Sequence, residues 1–201
     1  MLRELLARPE VTEVCRLRSS FGVMAVHGGN LERCTDVIAR EVAERTDSSY
    51  YAVIQDPPLR HHIPSTAFDP AHSPHLDRFL GHVQVVIAVH GYGREDRFWD
   101  VLLGGRNRKL AAHVGAHLRA GIDDRFGVVD VLADIPKGLR GQHPANPVNL
   151  PDDAGVQIEL PPTSRWNRAE AEWSDWQGAG RAPQVDQLID VLANAIRSWP
   201  I

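Results

Sequence analysis

Val23-Met24-Ala25-Val26-His27-Gly28-Gly29-Asn30-Leu31-Glu32 is the stretch on which the reading of this chain turns. Its first half is an apolar run of strand type, and the two glycines then allow the backbone to turn sharply. Beyond it, Thr35 to Arg45 places Val37, Ile38 and Val42 on one side, the spacing of an amphipathic helix. Strand, glycine turn and helix in succession make one step of an alternating α/β fold. A second apolar run, Val83 to Val89, ends in the same way, in His90-Gly91-Tyr92-Gly93.

Working outward, further strands are expected at Tyr50 to Ile54, Val128 to Leu132 and Val156 to Leu160, bounded by turn residues. Asn107 to Ala120 and Gln184 to Ser198 carry helical stripes, the first through Leu110, Ala111, Val114 and Leu118, the second through Val185, Leu188, Ile189, Leu192 and Ile196. The alternation predicts an α/β three-layer sandwich: an open, mixed central β-sheet flanked by helices, forming a single domain over residues 1–201. Sites in such sheets lie at the carboxyl ends of strands. Ile135 to Asp153 and Pro161 to Pro183 are long, aperiodic and rich in Pro, Gly, Asn or Trp, and are candidates for site-forming loops. The second, with Trp166, Trp173 and Trp176, reads equally well as a cover over the core.

The 201 residues carry 26 acidic and 22 basic side chains, a formal charge of −4, so nothing attracts the whole chain to nucleic acid or anionic membranes. No basic stripe or nucleic-acid-binding motif appears. No apolar stretch approaches the roughly 20 residues that span a bilayer, and no secretory leader is recognisable, so a soluble cytoplasmic protein is expected. A monomer is expected, whether the chain stays in the cell or is released by lysis. Cys15 and Cys34 are expected as reduced thiols. Ten histidines and twenty arginines against two lysines, Lys109 and Lys137, direct attention to imidazole chemistry and to bidentate anion contacts.

A lone strand-end histidine is more often structural, but the repeated strand-His-Gly pattern argues for ligands. Neighbouring strands would present His27 and His90 together, and the glycine turn returns Glu32 to the same pocket. Two imidazoles and a carboxylate, with one position left for water, are a common catalytic zinc arrangement, so His27, Glu32 and His90 are the expected ligands of one zinc ion. On the strand ending at Leu160, Gln157 and Glu159 share the face opposite Val156, Ile158 and Leu160. Glu159 is the candidate general base and acid; its bland alternative is an edge-strand carboxylate facing solvent. Of the arginines near strand ends, Arg165 is the first choice for pairing with substrate carboxylates, and Arg94, Arg97, Arg106 and Arg108 are expected to make no direct contact. His113 and His117 are expected on a helix face, and Gly104-Gly105-Arg106-Asn107 as a turn capped by Asn107.

These segments, together with His62-Ile63-Pro64-Ser65-Thr66-Ala67-Phe68, Gly104-Gly105, Asn146-Pro147-Val148-Asn149 and Gly155 to Leu160, resemble in order and spacing the phage-type poly-γ-glutamate hydrolase family, over about Ser20 to Arg165. The resemblance implies a zinc-dependent hydrolase of metallocarboxypeptidase-like fold that cleaves γ-glutamyl amide bonds. It implies His27, Glu32 and His90 as metal ligands, Glu159 as the catalytic glutamate, and a substrate or supporting contact for His62. Departures are Asn30 and Leu31 for the family's glycine and isoleucine, Arg33-Cys34 for a Pro-Gly turn, Pro64 for threonine, and the interruption by Pro147. The expected function is zinc-dependent amidohydrolysis, in poly-γ-glutamate or a smaller γ-glutamyl amide, by metal-activated water. Its rivals are a zinc carboxypeptidase, an amidohydrolase of N-acylated amino acids or cell-wall peptides, and an inactive binding module that retains the fold.

Overall fold

The computed structural model describes residues 1–200; residue 201, the last of the expected domain, lies outside the described residues. In chain order the elements are α1 (Leu2–Leu6), β1 (Val11–Arg16), β2 (Ser19–Gly29), α2 (Thr35–Arg45), β3 (Ser48–Gln55), α3 (Pro74–His82), β4 (Val85–Gly91), β5 (Asp100–Leu103), α4 (Arg108–Gly121), β6 (Gly127–Val129), β7 (Gly155–Leu160), α5 (Pro162–Arg165), β8 (Trp166–Asn167), β9 (Glu172–Trp173) and α6 (Pro183–Ser198). Seven strands form one mixed sheet in the order β1-β3-β2-β4-β7-β5-β6. The middle of it, β3-β2-β4-β7, is parallel, whereas β1 runs antiparallel to β3 and β5 antiparallel to β7.

Alternation of side chains along the strands divides the core in two. Phe21, Val23 and Ala25 of β2, Val85, Ile87 and Val89 of β4, and Val156, Ile158 and Leu160 of β7 pack with the apolar stripes of α2, α4 and α6. Met24 and Val26, Val86 and Ala88 turn the other way, against Leu2 and Leu5 of α1 and Leu76 and Phe79 of α3. Burying a side chain of this kind stabilises by about 1.5–3 kcal/mol. The three-layer sandwich expected from the sequence is therefore present, with α2, α4 and α6 on one face and α1 and α3 on the other.

The differences lie at the margins. β1 and β5 have no counterpart among the expected strands. Both are short, and β1 mixes Thr12, Glu13 and Arg16 with its apolar residues because it lies at the sheet edge, half exposed. The expected strand from Val83 begins at Val85, since Val83 caps α3, a helix the sequence reading left out. The expected strand Val128 to Leu132 is the three-residue β6, after which Leu132–Asp134 forms a single 3₁₀ turn. Asn107 caps α4 as expected, its side chain accepting from the Leu110 amide at 2.9 Å. Both cysteines are free. Among the described residues no helix is long and apolar enough to cross a membrane.

Candidate active site

β2 and β4 are parallel neighbours, and their carboxyl ends carry His27 and His90, each 3% exposed. His27 is out of phase with its strand. Strict alternation would send it to the side of Val23 and Ala25, yet its ring packs on Phe68 and bonds to Ile63, which belong to the opposite core. The cause is an irregularity in the β2–β3 register between Ala25 and Gly28, of the kind that re-aims a side chain. Gly29 then takes φ of +67°, hard against the Gln55 backbone, which a side chain would not tolerate. The chain turns back, and the Glu32 amide donates to the His27 carbonyl at 2.9 Å.

That turn seats the Glu32 carboxylate between the two imidazoles. His27 Nδ1 lies 2.9 Å from Glu32 Oε1, His90 Nδ1 lies 3.4 Å from Oε2, and the Gly91 amide donates to Oε2 at 2.9 Å. The candidate ligand atoms of His27, Glu32 and His90 all fall within 4.8 Å of one another. Burial alone would raise the Glu32 carboxyl, but the two imidazoles hold it well below the usual carboxylate range. His90 is raised in return: its burial opposes charge and the Glu32 carboxylate overrides it.

The donor set has the chemistry of a metal site. The Ile63 carbonyl, 2.9 Å from His27 Nε2, can only accept, so Nε2 carries that ring's proton. Nδ1 of the neutral ring therefore turns a lone pair toward a carboxylate oxygen, a pairing that needs a proton or a cation between the two. Orientation of a ligand histidine by a backbone carbonyl at its other nitrogen is the usual supporting arrangement at metal sites. Two imidazole nitrogens and a carboxylate oxygen thus suit a divalent cation.

Glu159, 4% exposed, lies on β7 directly beside His90 in the ladder. β7 is an interior strand, so the solvent-facing alternative is excluded. Gln157, two residues back on the same face, donates to Glu159 Oε1 at 2.8 Å, and Asn146 donates to Gln157 Oε1 at 2.8 Å. Because Asn146 occupies the Gln157 carbonyl oxygen, the Gln157 amide nitrogen is left to face Glu159. Burial, reinforced by the nearby Glu32 charge, pushes the Glu159 carboxyl up to about 7 against the pull of His90. His27, Glu32, His90, Gln157 and Glu159 line one cavity of ≈ 780 Å³, closed on another side by Lys137 to His143 of the first long loop and by His62, whose ring is 4.8 Å from that of His27.

Arg165 sits elsewhere than a simple cleft arginine. It is 4% exposed, its guanidinium lies flat on Gly91, and it donates to the Arg33 carbonyl at 2.8 Å and the Tyr92 carbonyl at 3.4 Å. It lines a neighbouring cavity of ≈ 460 Å³ that shares Glu32 and Gly91 with the first. Of the other arginines expected near strand ends, Arg94 pairs with Asp96, Arg97 with Asp100, and Arg108 donates to backbone carbonyls. His113 and His117 lie on a half-buried face of α4, bonded to Ala195 and Ser198 of α6. Sequence reasoning assigned no part to Gln157, Asn146, the Ile63 carbonyl or the Gly91 amide. Gln157 was detectable from its shared face with Glu159; the others act through backbone groups or across long loops and leave no local signal.

A family model described as poly-gamma-glutamate hydrolase matches residues 4–173. YndL of Bacillus subtilis is 29% identical over 140 residues, which cover 69% of this chain and 52% of that protein. The chain thus spans about half the length of the curated relatives it matches. Among solved structures, bacteriophage poly-gamma-glutamate hydrolase superposes with a TM-score of 0.78 at 20% identity, covering 92% of this chain and 87% of that one. Zinc-free YndL gives 0.74 at 24% identity, covering 94% and 90%. At those identities the structures speak for the shared fold, and the family model for descent. The resemblance read from the motifs is borne out, and the chain belongs to the poly-gamma-glutamate hydrolase family.

Proposed function

We propose that this hydrolase is a zinc-dependent amidohydrolase, a single catalytic domain that cleaves γ-glutamyl amide bonds, with poly-γ-glutamate as its substrate. His27, Glu32 and His90 would hold one zinc ion. The observation that carries this reading is the placement of a buried carboxyl group, Glu159, on the strand and face next to His90, opening into the same cavity as the three candidate ligands. What the ion supplies when bound is Lewis acidity toward a carbonyl oxygen and toward water.

The chain's own residues supply the rest. Gln157 occupies Oε1 of Glu159, so Oε2 is the atom free to take a proton from water and pass it to the departing nitrogen. The Asn146–Gln157 pair holds that carboxyl in one orientation. The Glu32–Gly91 hydrogen bond steadies the carboxylate between its two imidazoles. His62, exposed at the cavity rim, would donate to a substrate carbonyl or carboxylate.

Turnover assays across poly-γ-glutamate, small γ-glutamyl amides, N-acyl acidic amino acids and cell-wall peptides, with zinc supplied, test the reading. Cleavage of γ-linked material supports it. If poly-γ-glutamate is untouched while a small amide is cleaved, the substrate assignment falls; if nothing is cleaved, the catalytic reading falls.

A further inference from the structure

The cavity beside the metal centre has an unusual charge inventory. Arg33, Arg60 and Arg165 line it, and none of the three forms an ion pair among the described residues. Glu32 is the one carboxylate that lines it and is engaged by the two imidazoles and the Gly91 amide, so in a chain of net charge −4 three guanidiniums outnumber a single carboxylate there, a net positive site. The Nε groups of Arg33 and Arg165 are buried and have no hydrogen-bond partner at all. Such unmet donors are costly unless something accepts from them. Trp173 fixes both heads: Arg165 lies 5.0 Å and Arg33 5.8 Å from its ring centre, and Arg33 also lies 4.9 Å from that of Trp176. Stacked guanidiniums are held in plane while their edges stay available to an anion.

We propose that this second cavity is a carboxylate subsite and that Arg33 is the residue that grips the anion. The proposal rests on the reading of the chain as a γ-glutamyl hydrolase. A γ-linked glutamate chain leaves one free α-carboxylate on every residue, and the subsite adjoins the metal centre through Glu32 and Gly91. The carboxylate held there is that of a glutamyl residue next to the bond being cut. Arg165, with two donors committed to backbone carbonyls, forms the floor, and Arg60 the exposed wall.

The test compares kcat and KM of the zinc-loaded parent with Arg33→Met and Arg33→Lys, on a γ-glutamyl oligomer and on the same oligomer with its α-carboxylates amidated. Loss of one charge-assisted contact is expected to raise KM about tenfold for the free acid, with kcat little changed and no effect on the amidated oligomer. Lysine should recover part of the loss. An unchanged KM, or an equal rise on both substrates, overturns the proposal, the second outcome marking Arg33 as merely structural. Should the Arg33 variants fail to fold, Arg60→Met, at an exposed position, decides: a higher KM for the free acid alone supports the subsite, and no change overturns it. If the parent cleaves neither oligomer, the γ-glutamyl reading has failed separately. The subsite is then judged by calorimetric titration with γ-glutamylglutamate: saturable binding weakened by Arg33→Met sustains it, and no binding to the parent overturns it.

Discussion

Glu159 and His90 are register partners in the parallel ladder between β7 and β4, so their side chains leave the same face of the sheet side by side. A carboxyl group in that position can reach whatever the imidazole helps to hold. Glu159→Gln keeps the shape and removes the proton acceptor. It is expected to lower kcat by about 10²–10⁴-fold while zinc content, measured by elemental analysis, stays at the parental level. Parental turnover in this variant would remove Glu159 from the mechanism.

Gln157 touches Glu159 and not the candidate ligands, which makes it a positioning residue. Gln157→Leu deletes both its bonds, to Glu159 and to Asn146. A fall in kcat of about 10–100-fold is expected, with KM and zinc content close to parental. A change in KM alone would place Gln157 in substrate binding instead.

The His27–Glu32–His90 cluster also predicts a stability effect that needs no substrate. An ion that binds only the folded chain adds about 2.7 kcal/mol at one hundred times its Kd. Thermal melts with added zinc and with chelator should therefore differ by several degrees, and His90→Ala should abolish the difference. Equal melting temperatures for the parent under both conditions would count against a metal at this site.

Gly28 tests the turn that brings the candidate ligands His27 and Glu32 together. A Cβ at this position would sit 2.6 Å from Asp36 Cβ, at the first turn of α2. Gly28→Ala is expected to cost about 1–3 kcal/mol in urea unfolding through overpacking, and to weaken zinc binding because His27 is the preceding residue. Unchanged stability would show that α2 yields more readily than its packing suggests.

Arg181 ties the tryptophan-containing segment to α2 by donating to Glu41 at 3.0 Å and to Asp175 at 3.0 Å. The bond from Arg181, opposed by modest burial, holds the Glu41 carboxyl below its ordinary value of 4.5. A carboxyl group lowered by folding adds stability that is fully present above its unfolded value and fades as pH falls through the lower folded value. Arg181→Met should thus be less stable than the parent by about 1 kcal/mol at neutral pH, for a pair mostly shielded from solvent, with the gap narrowing below about pH 4. Unfolding curves at several pH values measure it.

Much of this was legible in the sequence because local patterns carry it. α2 runs over Thr35–Arg45 as its stripe predicted, α6 begins one residue early, and β7 shows the alternation that put Gln157 and Glu159 on one face. β1, β5 and α3 were missed because their identity comes from the neighbours they pair with or pack on: four residues of β5 form a strand only between β6 and β7. Arg33 illustrates the same limit at the site. Nothing near it in sequence announces Trp173 or Trp176, roughly 140 positions away, whose rings orient its guanidinium.

The sequence by itself determined the alternating α/β layout, the strand-end positions of His27 and His90 and the candidacy of Glu159, because hydrophobic period and glycine turns are local properties of the chain. Only the tertiary structure decided which way His27 faces. Period-two alternation points it into the core beneath α2; the slip in β2–β3 pairing between Ala25 and Gly28 reverses it toward Ile63, Glu32 and His90. Such a slip is a property of two strands in register, and a one-residue change in pairing moves a side chain from one face of a sheet to the other.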